Sequence, residues 1–171
     1  MAANASSTTN QSNKDDTSLL HYHVCTGSDG TGSIYHWENI IELQRQISLR
    51  LPQNKQRQQI HLVVADGGFD SQRDANNQEV LAHHIVVSQT AAALTLLRKG
   101  GIFVVKMFGF HEESTKRLLR YLYYCFDKMT FVKPLSSRPA SAERYLVCCG
   151  YDGIDSNWDC LAWKEQQMKV A

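Results

Sequence analysis

Apolar and polar positions alternate in blocks along this chain, and the blocks predict its elements. Residues 1–18 are rich in Ser, Thr, Asn and Gln and nearly lack apolar side chains. Such a stretch cannot bury enough surface to offset its ordering entropy, so it reads as a disordered tail ahead of one domain over 19–171. Residues 21–25 read as a short strand. Thr26-Gly27-Ser28-Asp29-Gly30-Thr31-Gly32-Ser33-Ile34 reads as a loop able to wrap a ligand, or as a plain surface loop. Residues 38–51 carry Ile40, Leu43, Ile47 and Leu51 at helical spacing and stop at Pro52. A polar, Gln-rich connection over 53–59 leads into a strand over 60–65.

The pattern then repeats. A helix over 77–98 buries Val80, Leu81, Ile85, Ala91, Ala92 and Leu94, with His83 and His84 as structural or exposed residues. Asn76, three residues before Glu79, resembles an N-cap with its reciprocal glutamate, and Gly100 is the natural stop. A strand over 102–107 follows, then a helix over 112–126 with Leu118, Leu119, Leu122 and Phe126 on its apolar side. A strand over 129–133, a polar loop over 134–143 and a strand over 144–149 complete the series. The tail over 150–171, with Trp158 and Trp163, is expected to cap the sheet. Strand–helix–strand–helix–strand–strand argues for an α/β fold with a doubly wound sheet. The last two strands have no helix between them, so they pair antiparallel.

Composition narrows the function classes. The chain has 171 residues, 43% hydrophobic and 20% charged, and a formal net charge of +1. No global field draws it to nucleic acid or to a membrane, so any RNA contact needs a local patch. No run of about 18 apolar residues offers a membrane span, and no apolar leader resembles a secretory signal. Five cysteines, with none in a C-x-x-C pair, read as reduced thiols of the cytosol or nucleus. His21 and His23 form an H-x-H pair without companion ligands at metal spacing, so no metal is expected.

The chemistry concentrates at strand ends. Leu62-Val63-Val64-Ala65 runs into Asp66-Gly67-Gly68, the way a buried parallel strand delivers a carboxylate to the carboxyl edge of a sheet. Gly67 and Gly68 would let the backbone turn sharply, with no Cβ to meet a substrate. Ile102-Phe103-Val104-Val105 meets the lone charge of Lys106, and Glu143 precedes the last strand. Each charge alone fits a solvated strand end. Together at one edge, two carboxylates would hold and tune a lysine able to steer or deprotonate a hydroxyl. No G-x-S-x-G and no Walker A motif occurs, which removes a serine nucleophile and a P-loop.

Ala65-Asp66-Gly67-Gly68-Phe69, Phe103-Val104-Val105-Lys106-Met107-Phe108 and Ser136-Ser137-Arg138-Pro139-Ala140-Ser141-Ala142-Glu143-Arg144-Tyr145 resemble the motifs of the FtsJ-type RNA ribose 2′-O-methyltransferases, over about residues 28–151. The D-G-G-F and S-R-P-A-x-x-E-R-Y segments look most like the branch that acts on the mRNA cap. The resemblance implies a Rossmann-like methyltransferase sheet, of which this chain is the C-terminal part, with the 144–149 strand between the other late strands. It implies S-adenosyl-L-methionine as methyl donor and a Lys-Asp-Lys-Glu tetrad, whose last three members match Asp66, Lys106 and Glu143. Ser33, Ile34 and Asp66 match donor-contacting positions. Asn76, Lys106 and Ser141 match positions that meet the capped RNA.

The family's first tetrad lysine and its G-x-G donor loop lie upstream of the matched region, and the first 25 residues here hold no glycine. Two expectations follow. One is ribose 2′-O-methylation at the first transcribed nucleotide of capped mRNA, in the nucleus or also the cytoplasm, with this chain inactive alone. The other is a non-catalytic half-domain that binds RNA or a protein partner, including the upstream half of the domain. Either way, the 60–65 strand is left with an unpaired apolar edge.

Overall fold

The computed structural model describes residues 22–51, 60–68 and 78–153. The 1–18 tail, Asn76, Trp158 and Trp163 lie outside the described residues. In chain order the elements are α1 (Trp37–Arg50), β1 (Ile60–Ala65), α2 (Gln78–Leu96), β2 (Leu97–Met107), α3 (Glu113–Cys125), β3 (Phe126–Val132) and β4 (Arg144–Tyr151). The four strands form one sheet in the order β1-β2-β4-β3. β1 and β2 run parallel, whereas β4 is antiparallel to both of its neighbours. The last strand is therefore inserted between β2 and β3, as expected. Because β3 ends at Val132 and β4 starts only at Arg144, the connecting loop lies at the carboxyl edge of β2.

One face of the sheet makes the core. Phe103, Val105, Leu146 and Cys148 point into it without exposure, against Val87, Ala91 and Ala93 of α2 and Leu118 and Leu122 of α3. Burial pushes the Cys148 thiol up to about 12, which keeps it unreactive in the core. α2 is buried almost all round between residues 85 and 94. Its first turns are not: Val80 and Leu81, expected in the core, are 42% and 48% exposed. They precede the stretch that crosses the sheet, and the covered positions there are Ala82 and His83.

The other face changes the picture of β1. Its apolar run suggested burial on both sides, yet Leu62 and Val64 are 52% and 60% exposed. Alternate residues of a strand point to opposite faces, and α2 and α3 cover only the face that carries Val63 and Ala65. β1 is also an edge strand among the described residues.

Three boundaries shift. α2 stops at Leu96 and the chain enters β2 at once, so Gly100 lies inside a strand rather than after a helix. Ile60 faces Leu97 but Leu62 faces Ile102, and Gly100, at φ +74°, takes up the extra length as an irregularity in β2. Phe126 belongs to β3, where its ring packs on Tyr151, and not to the apolar side of α3. Residues 22–25 form no strand: Tyr22 and Val24 are exposed, and His23 rests against Gln46 and Arg50 of α1 at 2.8 Å each. No helix among the described residues is long and apolar enough to cross a membrane.

The glycine-rich loop is ordered by Asn39, a buried polar residue in the first turn of α1. Its Oδ1 accepts the backbone N–H groups of Ser28 (2.9 Å) and Asp29 (3.3 Å), and its Nδ2 donates to Ser33 O and Asp29 Oδ1, both at 2.9 Å. Asp29 in turn accepts from Thr31 through both backbone and hydroxyl, and these bonds hold its carboxyl well below the usual range. Asn39→Ala leaves several of these groups unpaired. It is expected to lower stability by about 1–3 kcal/mol, read as a shift in the urea midpoint at constant slope.

Candidate active site

β1 and β2 are parallel neighbours, so their carboxyl ends reach the same edge of the sheet. That register sets Ala65 beside Val105, and each strand continues by one residue into a charge. Lys106 Nζ lies 2.8 Å from Asp66 Oδ1 and donates a longer bond to Asp66 O at 3.4 Å. The ammonium is sheltered, with the Lys106 side chain 13% exposed, whereas Asp66 is 58% exposed. The Lys106 hydrogen bond holds the Asp66 carboxyl below its usual value.

Asp66 thus contributes stability that is present above the ordinary carboxylate pKa and fades as pH falls through the depressed one. A carbon NMR titration is expected to find Asp66 ionised below the ordinary range of about 3.9. Lys106→Met should return it toward that value.

The antiparallel pairing adds a residue that the sequence reading quoted but gave no role. Tyr145 of β4 stands opposite Lys106, so both side chains share one face of the sheet. The Tyr145 hydroxyl donates to Asp66 Oδ1 at 3.1 Å. Burial, then the Asp66 carboxylate and then Glu143 push the Tyr145 phenol up to about 12, so it remains a donor. The signal for it was available: Tyr145 lies two residues after Glu143, and strand alternation keeps such a pair on one side.

Glu143 reaches the group through Tyr145. Among the described residues Lys106 pairs with Asp66 and not with Glu143. Ser141 stands beside it, its Oγ accepting the Glu143 N–H at 3.2 Å. Lys133, at the end of β3, ties this loop down by donating to Ser137 Oγ (3.4 Å), Ser141 O (2.7 Å) and Glu143 O (3.2 Å). Ser33 and Ile34 sit apart in the loop braced by Asn39, with Ile34 packed on the core. No hydrogen bond or ion pair among the described residues joins them to Asp66.

Gly67 has a packing reason besides the one expected. Neither Gly67 nor Gly68 has a positive φ. A Cβ on Gly67 would overlap Gln89 and Ile85 of α2, so Gly67 allows the helix to approach the strand end closely, while Gly68 faces open space. Glu79 has a role beyond the one expected. Its carboxylate accepts the N–H groups of His111 (3.0 Å) and Glu112 (2.9 Å), so it caps α3 from a distance.

A strand-end carboxylate, a sheltered lysine and a neutral phenol on adjacent strands make a site that can orient a hydroxyl and, once the lysine has released a proton, accept the hydroxyl proton. The family model for the FtsJ-like methyltransferases matches residues 14–151, which include all of these groups. The chain belongs to the FtsJ-like methyltransferase family. A cap-specific mRNA (nucleoside-2′-O-)-methyltransferase 1 of Trypanosoma brucei brucei is 40% identical over 138 residues, covering 80% of this chain and 35% of that protein. The Homo sapiens protein of the same name is 38% identical over 141 residues, covering 82% of this chain and 16% of that protein. The chain therefore spans about a third or less of these relatives. A ribosomal RNA methyltransferase structure from Plasmodium falciparum shares the fold, at TM-score 0.51 and 23% identity, over 75% of this chain and 61% of its own.

Proposed function

We propose that this chain carries the nucleophile-activating half of an S-adenosylmethionine-dependent ribose 2′-O-methyltransferase that acts in the nucleus on the 5′ end of capped mRNA. The observation that carries the reading is the Lys106–Asp66 pair at 2.8 Å, with Tyr145 bonded to the same carboxylate oxygen. Lys106 orients the ribose 2′-hydroxyl and, as the free amine left once its ammonium has released a proton to solvent, takes the hydroxyl proton as the oxygen attacks. Asp66 and Tyr145 fix the direction of the Lys106 side chain. Glu143 and Ser141, on the loop held by Lys133, face the RNA.

The donor, when bound, supplies an electrophilic methyl group on a sulfonium sulfur. Asp66 fits one wall of its site: both of its side-chain bonds among the described residues fall on Oδ1, and the side chain stays 58% exposed. The loop bearing Ser33 and Ile34 would add the adenine side. A second reading, a non-catalytic half-domain that binds RNA or a protein partner, is favoured by the exposed Leu62 and Val64, since a donor pocket needs walls on several sides.

Transfer of labelled methyl to capped RNA tests the first reading. This chain alone is expected to transfer none, and the chain joined to the upstream residues of a curated relative is expected to label the ribose 2′-oxygen. No label from the joined chain would leave the second reading in its place.

A further inference from the structure

We propose that Phe110 and His111, on the loop between β2 and α3, form a stacking platform for one base of the RNA strand, in the cleft beside Lys106. The inference rests on the reading that RNA is the substrate and adds the residues that hold a base. The cleft has a volume of about 380 Å³, and its lining includes Phe108, Phe110, His111, Pro139, Ser141 and Arg144. Phe108 touches both the cleft and the reacting edge: it lines the cleft, and its ring centre lies 5.6 Å from Lys106 Nζ.

Isolated exposed apolar side chains are ordinary on protein surfaces. Phe110 is not isolated. It is 43% exposed yet lies in a row of rings, 5.0 Å from His111 at 29° between planes and 5.4 Å from Phe131. A half-open ring braced by aromatic neighbours offers an apolar surface to the cleft, and bases of any identity stack on such surfaces.

The platform is also held in place. Glu79, from α2, binds the backbone N–H groups of His111 and Glu112, so the loop needs little ordering when a base arrives. The opposite wall is the loop held by Lys133, where Arg144 donates to Ala142 O at 3.0 Å. Arg138 lines an adjoining hollow of about 320 Å³ that shares Ala140, Ser141 and Ala142 with the cleft. Arg144 in the cleft and Arg138 in the adjoining hollow put two cations on this wall, where a phosphate backbone can be met. Rings and cations on facing walls match a single strand of nucleic acid, whose bases and phosphates alternate.

The experiment is fluorescence anisotropy of this full chain with a labelled single-stranded RNA and with the same strand made abasic. Phe110→Ala is expected to weaken the base-bearing strand by at least about fivefold and to leave the abasic strand unchanged. Phe110→Trp should keep wild-type affinity, and His111→Ala should weaken only the base-bearing strand, which covers the case of an unfolded Phe110→Ala. Equal binding of both strands by the wild type, or equal loss of both in either alanine variant, overturns the platform and leaves RNA methylation standing. Binding of neither strand by the wild type overturns the platform together with this chain's role in RNA binding.

Discussion

Lys106→Ala lowers ribose methyl transfer by about 10²- to 10⁴-fold, in the chain joined to a relative's upstream residues, while RNA affinity stays within about twofold. The reason lies in where the interaction acts. A group that takes the hydroxyl proton stabilises the transition state and adds little to ground-state binding, so turnover falls and KM does not. Its placement supports this role: the Lys106 side chain is sheltered and held by Asp66 at 2.8 Å, at the end of the strand beside β1, and acts once it has released a proton to solvent. Lys106→Arg is the sharper control. It keeps the positive charge, and a guanidinium does not give up its proton, so it should not restore turnover. Single-turnover rates and titrated RNA affinities, measured on the same preparations, check the split. An equal fall in affinity and turnover would make Lys106 a phosphate contact only.

Phe103→Ala is expected to lower stability by about 3–5 kcal/mol. Phe103 is fully buried in β2, with Val63 on one side and Cys148 on the other, and it belongs to the cluster shared with α2 and α3. Removing the ring opens a cavity that close-packed neighbours cannot fill. Domains of this size are stable by about 5–15 kcal/mol, so the loss is about a fifth of the total or more. It also reaches the site, because Lys106 follows three residues later on the same strand. Urea unfolding with an unchanged slope measures the effect. A loss under about 1 kcal/mol would mean that the core is centred elsewhere.

The regular elements were legible because their signals are local. Ile40 and Ile47 at helical spacing, and Val63 to Ala65 ending in an acid, declare a helix and a strand whatever surrounds them. The helix ends were less so. Leu97 and Phe126 are apolar residues with no local reason to leave a helix, and pairing with β1 and β4 drew them into strands. Tertiary hydrogen bonds outweigh small differences in propensity at such positions. The exposure of Leu62 and Val64 was hidden for a similar reason: an apolar strand reads the same whether helices cover one face or two.

By itself, the sequence determined the strand ends that carry Asp66, Lys106 and Glu143, the order of elements, and the family motifs over one region. Those properties follow from residue type and spacing along the chain. Only the tertiary structure decided which groups meet. β4 enters between β2 and β3, which sets Tyr145 opposite Lys106 and bonds its phenol to Asp66, 79 residues away. Glu79 reaches past its own helix to cap α3, and Lys133 holds the loop of Ser141 and Glu143. These contacts join residues on different elements, and they form because sheet register and core packing bring those elements together.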